Sequence, residues 1–380
     1  MFIDLTSDQR RLREELREYF SGVMTEQQRE AVLTERHGTA YRDLVRRLGA
    51  DGWLGVGWPT EYGGRGFGQV EQQIFVNEAA RADVPLPYVT LQTVGPTLQR
   101  YGTQEQKDLF LPRILKGELH FAIGYTEPEA GTDLAALTTR AVRQGDHYVV
   151  NGQKVFTTGG HDADHVWLAV RTGAPEDRHR GITILIADTT DPGYSWTPII
   201  TCDGAHHVNA TYYSDVTVPV GLRVGEENKG WRLITTQLNH ERVMLGPSGR
   251  IGAQFDRVHE WAREHDLLGL PDVRRALAEV KAVHRVNELL NWQVAAREVE
   301  VADASATKVF AADRTQRVGR LLEEVVSRHG DPTEPGTAQL VRWLDVQARR
   351  NLVLTFGGGV NEVQKELIAS LGLGLPRVVR

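Results

Sequence analysis

The middle of the chain limits the fold more than any other stretch. Between residues 119 and 222 the sequence breaks into short β-branched and aromatic runs, at 137–142, 147–150, 166–171, 182–187, 196–200 and 210–218. Turn residues such as Gln144-Gly145-Asp146 and Asp191-Pro192-Gly193 separate them. Many short strands punctuated in this way predict an antiparallel barrel or sandwich.

Both flanks read as helical. Thr6-Ser7-Asp8-Gln9 has the form of a capping box, with Gln9 three residues after Thr6. Leu12, Leu16 and Phe20 then recur every fourth residue, as one helix face requires. Further helices are predicted over 40–48, 71–82 and 91–101, and another after Thr103. The Gly57–Gly66 stretch reads as a glycine-rich connector. Beyond Gly225, Trp231, Ile234, Leu238 and Leu245 mark one helix face, and helices follow over 251–264, 273–299, 302–328 and 337–355. Four such segments pack naturally as a bundle. The expected class is α+β in three domains: helical 1–118, a β domain 119–224 and a helical bundle 225–380.

Composition narrows the function. The 380 residues carry a net charge of −6, so there is no basic excess for a nucleic-acid backbone. Cys202 is the single cysteine, so no internal disulfide forms, which fits a reducing cytoplasm. Residues 1–17 alternate charged and apolar groups and do not read as a signal peptide. No run approaches the roughly 18 apolar residues of a membrane span.

Two segments carry the chemistry. The first is Gly124-Tyr125-Thr126-Glu127-Pro128-Glu129-Ala130-Gly131-Thr132-Asp133. Pro128 and Gly131 break regular structure, so Thr126 and Thr132 are free to face a ligand. The second, Tyr148 to Gly160, has a hairpin-like Asn151-Gly152 and then Phe156 beside Thr157 and Thr158. An aromatic face next to small hydrogen-bonding groups suits a flat heteroaromatic cofactor.

Tyr125-Thr126-Glu127-Pro128, then Ala130-Gly131-Thr132-Asp133, then Asn151-Gly152-Gln153-Lys154 resemble the flavin-binding signature of the acyl-CoA dehydrogenases. The resemblance extends from the first helix to Gly357-Gly358-Gly359. It implies an enzyme with FAD held by Tyr125, Thr126, Gly131, Thr132, Phe156, Thr157, Thr158, Gly357 and Gly358. It also implies an acyl-CoA substrate, touched by Arg242 and Thr132, and an electron-transferring flavoprotein as acceptor. In that family a carboxylate removes a proton from Cα while the flavin takes a hydride from Cβ.

The family places this base at one of two positions. Near the C-terminus, this chain has Phe356-Gly357-Gly358-Gly359 and lacks the tyrosine–glutamate–glycine segment of one subgroup. The other position, in a Leu-x-x-Glu-Arg segment, is filled by Leu238-Asn239-His240-Glu241-Arg242, so the resemblance makes Glu241 the base. Glu241 follows Gln237 by one turn among Leu238, Met244 and Leu245, apolar surroundings that raise a carboxylate pKa. His240 reads as packing or solvent. The group His161, Asp162, Asp164 and His165 reads as a polar turn with no metal, and His206-His207 as a solvated loop.

One departure points to a partner. Homotetrameric members hold a neighbour's flavin pyrophosphate with an arginine, a Phe-Gly pair and a glutamine. Here the region reads Trp261-Ala262-Arg263-Glu264-His265-Asp266-Leu267-Leu268-Gly269, without the pair or the glutamine. With Phe356–Glu362 and Gly204–Tyr213, this is similar to the base-bearing subunit of the heterotetrameric steroid-CoA dehydrogenases of cholesterol-degrading bacteria. That branch implies an α2β2 assembly with a second acyl-CoA dehydrogenase-like subunit, and a steroid-CoA with a short side chain. Two alternatives stay open: a non-catalytic subunit, and a flavin oxidase or monooxygenase on the same fold.

Overall fold

A computed structural model describes residues 4–376 except 245 and 297–299, with backbone alone for residues 34 and 238–244. Helix α1 (Ser7–Gly22) begins at the capping box: the Thr6 hydroxyl accepts from the Gln9 amide at 3.2 Å, and Gln9 Oε1 accepts from the Thr6 amide at 3.0 Å. Helices α2 (Glu26–Thr34), α3 (Thr39–Ala50) and α4 (Gln69–Arg81) follow. α2 had no sequence forecast, because its apolar residues fall consecutively at 31–33 and give no period. A π-helical stretch, Val89–Val94, leads into α5 (Gly95–Tyr101). Thr103 then caps α6 (Gln104–Leu115) through a second capping box.

The strands are β1 (Phe121–Gly124), β2 (Arg140–Gln144), β3 (His147–Thr158), β4 (His165–Arg171), β5 (Ile182–Asp188), β6 (Tyr194–Ile200), β7 (His206–Pro219) and β8 (Arg223–Val224). They form one sheet in the order β6-β7-β3-β2-β4-β5-β8, with β1 beside β4. β1 and β2 pair with β4 in parallel, and the remaining pairings are antiparallel. The sheet is therefore mixed where antiparallel pairing alone was expected. A parallel neighbour needs a long connection, and the segment after β1 supplies it.

Asn151-Gly152 is not a turn. β3 runs through it with a register shift, because Asn151 is occupied across the ladder: its amide donates to Asp215 Oδ1 at 2.8 Å and its Oδ1 accepts from the Asp215 N–H at 3.0 Å. The hairpin turn is at Gly145-Asp146, where Gln144 opposes His147.

Helices α7 (Gly230–Met244), α8 (Gly249–Glu264), α9 (Pro271–Ala295), α10 (Val301–His329), α11 (Pro335–Asn351) and α12 (Asn361–Leu367) complete the chain. No described helix is long and apolar enough to cross a membrane.

By contacts the chain divides into two compact units. The first comprises Met1–Thr25, Gly68–Leu86 and Glu241–Arg380, so α1 and α4 belong with the C-terminal helices. Within it, Phe20 packs on Phe75 with ring centres 5.7 Å apart, and Arg17 grips the buried Glu78 with two 3.0 Å hydrogen bonds. The second comprises Glu26–Phe67 and Pro87–His240, joining α2, α3, α5 and α6 to the sheet. Its core includes the fully buried Trp167 and Tyr148, with Val150, Leu168, Leu185 and Val216.

The Gly57–Gly66 connector is anchored through Trp58. Its indole N–H donates to Leu91 O at 3.2 Å, and its ring lies against Gly95. A Cβ at Gly95 would fall 2.2 Å from Trp58 Cζ2. Gly95→Ala is therefore expected to cost about 1–3 kcal/mol through overpacking, measured by urea unfolding, and an unchanged midpoint would contradict this packing.

Candidate functional site

The 125–133 loop is held from inside by an ion pair. Glu127 turns its carboxylate inward, where the Thr138 and Thr139 amides donate to it at 2.6 and 2.8 Å. Lys154 on β3, fully shielded from solvent, donates to Glu127 Oε1 at 2.8 Å and to Tyr125 O at 3.1 Å. Burial alone would raise the Glu127 pKa, but the Lys154 ammonium and these hydrogen bonds bring it down to about 2. Burial pulls Lys154 down to about 8, with Glu127 opposing the shift. The loop closes on itself through paired Glu127–Ala130 backbone bonds of 3.1 and 3.2 Å. This leaves Gly131 and Thr132 exposed and Thr126 half-buried.

The end of β3 lies beside that loop, since Val155 donates its N–H to Thr126 O at 2.9 Å. Between Lys154 and Thr157 the pairing with β7 slips, and Phe156 takes a left-handed backbone with φ of 58°. A bulge of this kind re-aims a side chain, and the Phe156 ring stands 62% exposed. Thr157 faces inward, its hydroxyl 3.1 Å from that of Thr211, so of the adjacent threonines Thr158 is the open one. Bulge and strain are not visible in composition; a large aromatic next to Thr-Thr-Gly-Gly was the signal available.

Behind this strand end lies a group of histidines. Gly159 has φ of 67°, and a Cβ there would meet His37 Cε1 at 2.7 Å. His37 packs edge-on to His161 at 5.1 Å, and His161 stacks on His206 at 4.0 Å. Asn209 bridges the latter two, at 3.0 Å to His161 and 2.7 Å to His206. His206 and His207 are thus half-buried on β7, not a solvated loop: His206 pairs with Ile200 of β6, and the His207 carbonyl accepts from the Gly159 N–H at 2.9 Å. Asp162 and Asp164 receive Arg42, at 3.0 and 3.3 Å. Burial, aided by the neighbouring histidine charges, lowers the His37 pKa to about 3, and burial lowers His120 to about 4.

Tyr125 is buried and joins an internal chain. Its hydroxyl accepts from the Trp167 indole at 3.1 Å and donates to Gln237 Oε1 on α7. The Gln237 side-chain nitrogen is buried and has no acceptor among the described residues. The Tyr125 carbonyl is likewise taken from inside, by Lys154. The side chains of Glu241, Arg242 and His240, on the last turns of α7, lie outside the described residues.

In the other unit, Gly357 and Gly358 form a turn after the 3-10 segment Leu352–Thr355. Gly358 and Gly359 have φ of 68° and 92°, and Phe356 at the apex is 65% exposed. Beneath it, the buried Lys308 of α10 donates to Gly359 O at 2.8 Å, to Asn361 Oδ1 at 2.7 Å and to Thr355 O at 3.4 Å. Neither buried lysine entered the sequence-based site, since an isolated lysine in a sequence reads as a solvated surface residue.

What the sheet unit presents is an outward aromatic face with hydroxyl and amide groups around it. An arrangement of this kind suits a flat heteroaromatic ring, an apolar surface for its face and polar groups for its edge. Comparison with known proteins bears on the family of the chain. Residues 6–118, 122–216 and 228–372 match the acyl-CoA dehydrogenase N-terminal, middle and C-terminal domains. The chain is 64% identical to acyl-CoA dehydrogenase FadE29 of Mycobacterium tuberculosis over the full length of both. It resembles the solved Tcur3481-Tcur3483 steroid ACAD, with 47% identity, full coverage of both chains and a TM-score of 0.93. It likewise resembles the ChsE4-ChsE5 complex from Mycobacterium tuberculosis, with 48% identity, full coverage of both chains and a TM-score of 0.91.

Two outcomes are expected. Lys154→Met strands the Glu127 carboxylate and is expected to lose about 3–5 kcal/mol in chemical denaturation, while Lys154→Met/Glu127→Gln loses less. His37 and His120 bind fewer protons folded than unfolded below their ordinary value of 6.5, so their contribution weakens as pH falls from 6.5 toward about 4. Glu127 adds to the loss between 4.5 and about 2. Between pH 7 and 5 the loss from the two histidines is expected to be on the order of 3–4 kcal/mol, and about half that in His37→Phe, by thermal unfolding at each pH.

Proposed function

Since the chain belongs to the acyl-CoA dehydrogenase family and is an oxidoreductase of that kind, we propose that it is the base-bearing subunit of an FAD-dependent enzyme that desaturates a steroid-CoA thioester. FAD, when bound, supplies the two-electron acceptor for the Cβ hydride. Phe156 offers the covering face, while Thr126, Thr158 and the exposed backbone at Gly131 and Thr132 offer the polar edge. The residues present fit the group: an aromatic side chain is turned outward at the cost of a left-handed backbone, and a buried Gln237 amide lacks an acceptor among the described residues. Thr157 contributes through its backbone, and the Gly357-Gly358 turn is a further flavin contact in this reading.

Glu241 is the base in this reading. It accepts the Cα proton as the Cα–Cβ double bond forms and the hydride leaves Cβ, which balances protons and electrons. Arg242 and Thr132 contact the thioester ligand. The observation that carries most weight is the Tyr125–Gln237 hydrogen bond, which fastens α7, one turn before position 241, to the loop that bears Thr126. A helix so tethered holds a base at fixed register, and fixed geometry is what proton abstraction needs.

The steroid acyl group is supported by the names of the similar solved structures, a steroid ACAD and a two-subunit complex. The second subunit is supported by the absent Phe-Gly pair near Trp261–Gly269, which leaves a flavin pyrophosphate short of partners in a homomeric assembly. The reading completes with an electron-transferring flavoprotein as reoxidant, and with three domains bounded near residues 118 and 224.

Glu241→Gln in the reconstituted complex is expected to lower kcat by about 10²–10⁴-fold while the bound-flavin absorbance is retained. Unchanged turnover would assign the base to the partner and leave this chain as a scaffold.

A further inference from the structure

We propose that a cavity between α1, α4 and α9 binds a phosphate monoester that carries a flat apolar group. The cavity, of about 720 Å³, lies wholly within the unit containing these helices and the C-terminal segment. None of its residues belongs to the flavin or thioester site described above.

Each helix turns one face to it. α1 gives Arg13 and Arg17, one turn apart; α4 gives Asn77, Glu78 and Arg81; α9 gives Lys281, Arg285 and Glu288. Five cationic side chains thus meet two carboxylates in the wall. Three of the cations are committed. Arg17 grips Glu78, Arg81 meets Asp256 behind the wall, and Arg285 meets Glu288.

Arg13 and Lys281 have no carboxylate within ion-pair distance among the described residues. Lys281 instead sits 4.8 Å over the Phe255 ring. The Nε of Arg13 is closed off from solvent and has no acceptor. A buried guanidinium N–H without an acceptor costs free energy that an anionic ligand would recover. Two uncommitted cations call for a dianion, and a phosphate monoester carries about two charges at neutral pH.

The floor includes Ser248 and Gly249, where α8 begins, and no side chain caps that helix. The Ser248 N–H is aimed at Asn77 and Asn291, both 3.0 Å away. That amide is therefore satisfied, and the first turn of the 16-residue α8 borders the cavity through Ser248 and Gly249. The volume exceeds what phosphate fills, and beside His284 the rest of the lining includes the apolar Leu5, Ile74, Ala278, Ala282 and Trp292, the last with the Arg285 guanidinium 5.0 Å from its ring centre. A planar apolar group attached to the phosphate would cover these surfaces.

The test is equilibrium dialysis of the full chain, with whatever flavin and partner it is purified with, against phenyl phosphate at low ionic strength. Inorganic phosphate and phenol are the comparators. Saturable binding of phenyl phosphate is expected at about 0.1–1 mM, weakened at least about tenfold in Arg13→Gln/Lys281→Gln. Inorganic phosphate is expected to bind about tenfold more weakly, and phenol not at all. Circular-dichroism melting establishes that the double variant is folded; if it is not, each single variant is expected to weaken binding at least about threefold. Absence of saturable binding below about 10 mM overturns the proposal. So does unchanged affinity in the folded variants, which places the anion elsewhere. Equal affinity for inorganic phosphate overturns the assigned ligand class, leaving a general anion trap.

Discussion

A lysine and a glutamate with almost no access to water hold the sheet unit's surface in place. Lys154 and Glu127 come from β3 and from the loop after β1, and both are buried. Neither tolerates burial alone, because an unpaired charge in a low-dielectric interior is costly. Together they are satisfied: the carboxylate takes the Thr138 and Thr139 amides, and the ammonium takes Tyr125 O. The loop therefore has one arrangement in which every buried polar group is met. Its Thr126–Thr132 portion presents backbone and hydroxyl groups on a rigid base, as a ring-binding surface requires.

The second unit uses the same device with different partners. Lys308 is as buried as Lys154, yet its acceptors are the neutral oxygens of Gly359, Asn361 and, at longer range, Thr355. It draws both arms of the Gly357–Gly359 turn onto α10 and leaves Phe356 outside. Both candidate ligand loops are thus fastened from beneath by a buried lysine. The apolar residues around them supply bulk, and the lysines set the loop conformations.

What the sequence disclosed followed from local rules. The capping box at Thr6, the cap at Thr103, the helix-strand-helix order and most strands were readable, because each depends on residues a few positions apart. The misreadings depended on distant partners. Asn151-Gly152 has the composition of a turn, but the strand carrying Asp215 takes it into a ladder. His206-His207 look like loop residues until His161 and Asn209 are brought against them. Lys154, Glu127 and Lys308 were legible as letters, while their burial depends on chain segments up to 53 residues away. Of the site, the segment containing Thr126 and the Phe156–Thr158 end could be found from sequence, but the bulge that sorts Phe156 and Thr158 outward and Thr157 inward could not.

The backbone at Phe156 restricts which residues that position accepts. Strand pairing on both sides fixes its left-handed conformation, so a replacement must adopt that conformation or displace the strand end. Valine, isoleucine and threonine are poorly suited, since branching at Cβ clashes in that region. Glycine would relax the chain but remove the covering ring. The backbone thus favours side chains unbranched at Cβ, so the fold alone filters the substitutions open to this position before any ligand is considered.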